Sequence, residues 1–118
     1  MGTNNLRGVY ASGSTIYVAS TNGLAISTDS GATFVNRTTA NGLGNNNVAV
    51  VYAEGNTVYA ATGSGLSIST DGGATFTNKT TANGLGGNNV LSVYAVGNTI
   101  YASNNGGLSI STDGGATF

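Results

Sequence analysis

Four carboxylates hold nearly all the acid–base chemistry this chain could perform: Asp29, Asp71, Asp113 and Glu54. The three aspartates stand 42 residues apart, each inside the same octapeptide. Those octapeptides run from Ser27 to Phe34, from Ser69 to Phe76 and from Ser111 to Phe118. The last two read Ser-Thr-Asp-Gly-Gly-Ala-Thr-Phe, and the first carries Ser30 in place of the first glycine. Glycoside hydrolysis needs two carboxyl groups facing one another across the scissile bond. With three of the four acids locked into the repeated octapeptide, Glu54 is left alone. His and Cys are absent, which removes Ser–His and Cys–His nucleophiles and histidine or thiolate metal sites. Calcium takes about six to eight oxygens, commonly several carboxylates, so Asp71 among glycines reads as a self-satisfied turn rather than a metal loop. The chain is expected to have no catalytic residues, no metal ligands and no cofactor.

Three cations, Arg7, Arg37 and Lys79, against four acids give a net charge of −1. They are scattered and cannot form the basic patch that neutralising phosphates requires, so no nucleic-acid partner is expected. No run of about 18 apolar residues is present to cross a membrane. Met1 to Asn5 shows neither a charged n-region nor an apolar h-region, so no signal peptide is expected in this chain. Asn36-Arg37-Thr38 and Asn78-Lys79-Thr80 match the glycosylation pattern, which chance produces readily in a chain this rich in Asn and Thr.

A fixed period of this length means one supersecondary unit copied in tandem. The copies run 2–43, 44–85 and 86–118, and the third lacks a counterpart of Val35 to Leu43. The single domain is therefore a repeat domain over residues 1–118. Only 6% of residues are charged, Gly numbers 20 and Pro is absent, a composition of strands and tight turns rather than helices. In the complete copy, Val48 to Ala53 is almost continuously apolar, as a strand covered on both faces should be. A turn at Glu54-Gly55-Asn56 leads to Thr57 to Ala61, rich in β-branched and aromatic residues. A Gly/Ser/Thr loop, Thr62 to Gly65, precedes Leu66-Ser67-Ile68-Ser69, which alternates with period two. Asp71-Gly72-Gly73 then carries a hairpin signal and predicts a fourth strand over Ala74 to Asn78. Thr81 to Asn89 is long for a hairpin and suits a crossing into the next copy. Four antiparallel strands and a crossover, repeated, describe a propeller blade.

The octapeptide resembles the Asp-box, or BNR repeat, whose pattern is Ser/Thr-x-Asp-x-Gly-x-Thr-aromatic. The flanking runs Gly55 to Ala61 and Asn83-Gly84-Leu85 are similar to blades of secreted bacterial Asp-box propellers of the sialidase superfamily, and the resemblance covers essentially the whole chain. It implies that the box joins the third and fourth strands on a rim away from the ligand site. It further implies structural roles for Ser27, Asp29, Gly31, Thr33 and Phe34, for Ser69, Asp71, Gly73, Thr75 and Phe76, and for Ser111, Asp113, Gly115, Thr117 and Phe118. The Asp would accept bonds from turn amides and hydroxyls, the Thr would complete the network, and the Phe would pack between neighbouring blades. A sialidase would also need a cluster of arginines, and Arg7 and Arg37 occupy different positions of the unit.

Three blades cannot close a ring, since propellers use about four or more. The expected fold is thus all-β, three four-stranded antiparallel blades per chain completed to six by a head-to-tail homodimer. The alternative is a β-trefoil monomer, which three units of four strands would also satisfy. The near-identity of the copies and the stop at Phe118 point to a designed or excised fragment, or to part of a recently amplified array. Its expected function is that of a non-catalytic structural module that assembles with itself. A lectin-like module for glycans or small ligands is the competing reading, and an inactive glycosidase remnant a third. The positions that vary between copies nominate the ligand loops: Thr21 and Asn22, Glu54, Gly63 and Ser64, and Asn104 and Asn105.

Overall fold

The computed structural model describes residues 5–118; Gly2 to Asn4, the expected start of the first copy, lie outside the described residues. Among the described residues, eleven strands form three separate antiparallel sheets. The first holds β1 (Leu6–Ser12), β2 (Thr15–Ser20), β3 (Gly23–Ser27) and β4 (Val35–Arg37) in sequence order. The second repeats this with β5 (Val48–Glu54), β6 (Thr57–Thr62), β7 (Gly65–Ser69) and β8 (Thr77–Lys79). The third has three strands, β9 (Val90–Val96), β10 (Thr99–Asn104) and β11 (Gly107–Ser111). A fourth strand begins at Thr77 in the second copy, one residue past Phe76, and Phe118 is the corresponding last residue of the third. The strands pair within their own sheet and the sheets stack face to face, with β1, β5 and β9 side by side at the centre of the fan. This is a stack of blades, not the single hairpin barrel of a trefoil.

Each central strand carries one irregularity of register near its start, between Leu6 and Gly8 and between Val48 and Val50, with the matching shift opposite Ser103 and Asn104 in the third sheet. A bulge inserts one residue and so breaks strict alternation. Its consequence is that Val48 and Val51, three residues apart, share one buried cluster, as do Val90 and Val93.

Two clusters form the core, one between each pair of neighbouring sheets. Between the first and second sheets, Tyr17, Ala19, Leu24 and Ile26 meet Val48, Val51, Ala53, Val58, Ala60 and Phe76, together with Leu43. Between the second and third, Tyr59, Leu66 and Ile68 meet Val90, Val93, Ala95, Ile100 and Ala102, together with Leu85. The second junction thus repeats the first with equivalent residues. Burying a side chain such as Leu24 or Leu66, each 0% exposed, is worth about 1.5–3 kcal/mol.

Two local expectations change. The fourth strand is shorter and later than Ala74 to Asn78: it starts at Thr77, and the connection from Ser69 is a loop rather than a two-residue hairpin. The crossing segment contains a single 3-10 turn, Thr39–Asn41 in the first copy and Thr81–Asn83 in the second. Thr38 and Thr80 cap these turns by accepting from the Ala40 and Ala82 amides, while Asn41 and Asn83 accept in return from the Thr38 and Thr80 amides. Such reciprocal capping satisfies donors that so short a turn leaves open. Gly42 and Gly84, both at φ 99°, end the turns in the left-handed conformation.

Candidate functional site

The Asp-containing octapeptide builds the same small network three times. In the second copy, the Ser69 hydroxyl donates to Asp71 Oδ1 at 2.6 Å and accepts from the Gly73 amide at 2.8 Å. The Thr75 amide donates to Asp71 Oδ1 at 3.0 Å, and the Thr75 hydroxyl donates to Oδ2 at 2.6 Å. Ser27, Asp29, Gly31 and Thr33 repeat these bonds at 2.6–2.9 Å. Ser111, Asp113, Gly115 and Thr117 do so at 2.6–3.0 Å. Side chains thereby take over amides that no ladder partner reaches, which is why the chain can make a loop here without stranding its backbone.

Both oxygens of each carboxylate are thus engaged by donors, and hydrogen bonding to the charged form favours it. The Thr33 hydroxyl and amide, followed by the Ser27 hydroxyl, lower Asp29 from 3.8 to about 2. Asp71 is lowered further, chiefly by the Ser69 hydroxyl and then by Thr75, and Asp113 by the Thr117 hydroxyl and amide. A carboxylate held this firmly ionised is a poor general acid at neutral pH. Among the described residues, no group of three or more His, Cys, Asp or Glu is close enough to hold a metal ion.

The strands separate the nominated ligand residues onto two rims. The octapeptide turns lie beside the turns that join the first two strands of each sheet, because the Ser30, Gly72 and Gly114 amides donate to the Ser14, Asn56 and Asn98 carbonyls at 2.9 Å. Glu54 belongs to this rim, where Oε1 accepts from the Gly97 amide of the next sheet at 3.3 Å. Thr21, Asn22, Gly63, Ser64, Asn104 and Asn105 lie at the other ends of the same strands. The length of β6 therefore stands between Glu54 and these loops.

On that second rim the loops are tight turns tied to the segment entering their own sheet. The amides of Thr21, Gly63 and Asn105 donate to the carbonyls of Asn5, Asn47 and Asn89. Ser64 Oγ accepts from Asn45 Nδ2 at 3.1 Å. Asn104 is 6% exposed and turned inward, its Nδ2 on Ser109 Oγ at 2.9 Å and its Oδ1 accepting from the Gly106 amide. It stands where Ser20 and Thr62 do, whose hydroxyls reach the Gly23 and Gly65 carbonyls, so it shapes the turn rather than facing solvent. Asn22, Gly63 and Asn105 remain exposed.

Sequence reasoning did not single out the contact between the crossing segment and the following octapeptide. The Phe76 and Phe118 amides donate to the Asn41 and Asn83 carbonyls, both at 2.8 Å. A Cβ built on Gly42 or Gly84 would lie 2.0 Å from the Phe76 or Phe118 carbonyl oxygen, so only glycine permits this approach. The repeated Thr-Thr-Ala-Asn-Gly-Leu was the available signal. Along the centre of the fan, Tyr10, Tyr52 and Tyr94 form a row with ring centroids 5.1 and 5.0 Å apart. Burial raises the Tyr52 hydroxyl pKa, with Tyr94 and Tyr10 adding to it.

The two outer faces of the stack differ from the two internal junctions. On the third sheet, Tyr101, Leu108 and Ile110 are 40%, 64% and 47% exposed, whereas their counterparts on the first two sheets are buried. On the first sheet, Val9 is 69% exposed although Val51 and Val93 are each 5%. Beside it lies a hollow of about 430 Å³ lined by Leu6, Arg7, Gly8, Val9, Val18 and Phe34.

No protein-family model matches this sequence, and no curated protein is similar to it in sequence. Solved structures are similar in fold. One is the crystal structure of an ancestral GH74 enzyme, with TM-score 0.78 at 21% identity over 98% of this chain and 18% of that one. Another is YCF48 from Cyanidioschyzon merolae, with TM-score 0.73 at 20% identity over 94% of this chain and 35% of that one. Both are β-propellers, and this chain spans a small part of either. Its three sheets are therefore β-propeller blades.

Proposed function

We propose that the chain is a non-catalytic structural module of Asp-box type whose blades complete a closed β-propeller by associating with a second copy. The observation that carries this reading is the exposure of a face otherwise buried twice within the chain. Tyr101, Leu108 and Ile110 are open, whereas Tyr17, Leu24 and Ile26, and again Tyr59, Leu66 and Ile68, are covered by the next sheet. Patches of this kind mark interaction sites. The covering surface exists on the same chain, at Leu6 and Val9 of the first sheet. Ile26 Cδ1 and Ile68 Cδ1 sit where a Cβ on Gly73 or Gly115 would be, at 2.4 and 2.5 Å, so Ile110 would seat against Gly31 of the second copy. Two such junctions close six blades with two-fold symmetry. The non-catalytic part rests on three aspartates whose oxygens are engaged within their own turns, and on Glu54 standing alone beside them.

Sedimentation equilibrium tests the association. The expected species has twice the 11.6 kDa chain mass, and Ile110→Asp converts it to a folded monomer. A wild-type chain that stays monomeric at high micromolar concentration overturns it. A second reading, a lectin-like module, draws on Asn22, Gly63 and Asn105 lying exposed on one rim at positions where the copies differ. A glycan array tests it, with binding lost on substituting those residues; silence across the array removes it.

A further inference from the structure

The chain contains six tyrosines and one methionine but no Cys, Trp or His, so a one-electron oxidant finds tyrosine almost alone. The repeat sets the six rings in two rows across the three sheets. Tyr10, Tyr52 and Tyr94 lie on the central strands β1, β5 and β9, and they pair across to Tyr17, Tyr59 and Tyr101. Tyr17 and Tyr59 are buried, and that burial raises the pKa of both. Neither therefore readily releases the proton that must leave with an electron. The central row is more open, with Tyr52 half-buried and Tyr94 52% exposed. Ring centroids stand 5.0 Å apart for Tyr52 and Tyr94, at a tilt of 49°, and 5.1 Å apart for Tyr10 and Tyr52. At the first pair the hydroxyls also hydrogen-bond, whereas Tyr10 affects Tyr52 only through charge. The ring carbons ortho to oxygen flank the carbon that bears the hydroxyl, so this contact brings the two ortho edges together.

We propose that Tyr52 and Tyr94 form an oxidative cross-linking site, at which a one-electron oxidant of the peroxidase or photoactivated metal-complex class joins β5 to β9 through a dityrosine bond. Each phenol gives one electron to the oxidant and its proton to solvent. The two phenoxyl radicals combine at ring carbons ortho to oxygen and form one carbon–carbon bond. The hydrogens on those two carbons then move to the oxygens as both rings regain aromaticity. The balance is two electrons and two protons lost, with two C–H bonds replaced by one C–C bond. Folding has already set the rings against one another, so coupling within a chain outruns encounters between chains. Tyr94 is the entry point, because its open side admits an oxidant that the buried rings exclude. The product closes a covalent loop from residue 52 to residue 94 across the junction of the second and third sheets. It needs one chain only and stands apart from the closure of a six-bladed ring proposed above.

The test irradiates the full chain with a ruthenium(II) polypyridyl complex and persulfate, which together generate a ruthenium(III) one-electron oxidant. Dityrosine is read by its fluorescence, and the linked residues by mass spectrometry of a tryptic digest. Cleavage after Arg7, Arg37 and Lys79 places the three central tyrosines on separate fragments. The expected product joins fragment 38–79 to fragment 80–118, with a mass two hydrogens below their sum. Its yield per chain should stay constant on dilution, as an intramolecular step requires. Tyr52→Phe and Tyr94→Phe keep the rings and should abolish the product, whereas Tyr10→Phe and Tyr101→Phe should retain it. Urea unfolding checks that each variant is folded. The site is overturned by any of four results: no dityrosine within a chain, preferential linkage of fragment 8–37, a link that survives Tyr94→Phe, or an equal yield from chain unfolded in urea. A monomer that forms the link upholds the site while the ring association fails; a dimer that does not form it overturns the site and leaves the ring association standing.

Discussion

Residues 27–34 and 69–76 show what a single side chain changes within an otherwise constant turn. Ser30 has φ 61°, the one non-glycine left-handed residue among those described, while Gly72 and Gly114 hold the same position at φ 75° and 71°. The left-handed region costs an L-residue about 1–2 kcal/mol, offset in part by the greater unfolded freedom of glycine. Ser30→Gly should therefore stabilise the chain by up to about 1 kcal/mol, and Gly72→Ser should do the reverse; urea midpoints of the two variants check this. The aspartates set a pH dependence of defined sign. In the folded state Asp29 titrates at about 2 instead of 3.8, with Asp71 and Asp113 held lower still. The unfolded chain takes up these protons first as pH falls, so the contribution is complete above about 4 and disappears as pH drops through about 2 and below. Urea midpoints should be level from pH 6 to 5 and fall steeply below 4, and Asp71→Asn should make that fall shallower. An equally steep fall in the variant would mean that other groups control it.

The connecting segment is the element on which the stack depends. It links a sheet to its successor covalently, and it also places Asn41 and Gly42 against Phe76, and Asn83 and Gly84 against Phe118. Gly84→Ala would put a methyl 2.0 Å from the Phe118 carbonyl oxygen at φ 99°. It should cost more than Thr80→Ala, which removes one cap worth about 1 kcal/mol. Equilibrium unfolding of the two variants should order them so; a Gly84→Ala chain as stable as wild type would mean that the segment does not press on Phe118 in solution. A smaller asymmetry appears at Asn36. Its Oδ1 is buried without a donor, because Ala25 replaces the serine whose counterpart Ser67 donates to Asn78 Oδ1 at 2.9 Å.

At the scale of the whole molecule, stability and assembly become linked if the outer faces meet. A partner that binds the folded state raises its apparent stability by mass action. The melting temperature should then rise with chain concentration in the wild type and stay constant in Ile110→Asp. A concentration-independent wild-type melt would argue against association through that face. In the tyrosine row, Tyr94 on the third sheet is 52% exposed, whereas Tyr10 and Tyr52 are partly buried.

Much of this architecture was legible in the sequence because it is a repeat. The 42-residue spacing of Asp29, Asp71 and Asp113, together with alternating and doubly apolar runs, determined three all-β units and the order of their strands. The carboxylate count marked the octapeptide as a turn that consumes its own acids. Other features depended on contacts between units, which periodicity within one unit cannot encode. Only the tertiary structure separated Glu54 from Asn22, Ser64 and Asn105, because strand direction sends adjacent turns to opposite rims. It alone turned Asn104 inward and moved the fourth strand to Thr77, since Ser69 and Asp71 take amides that a hairpin would have paired. It alone showed why Asn-Gly-Leu recurs: the glycine and leucine of one unit are shaped by the phenylalanine of the next.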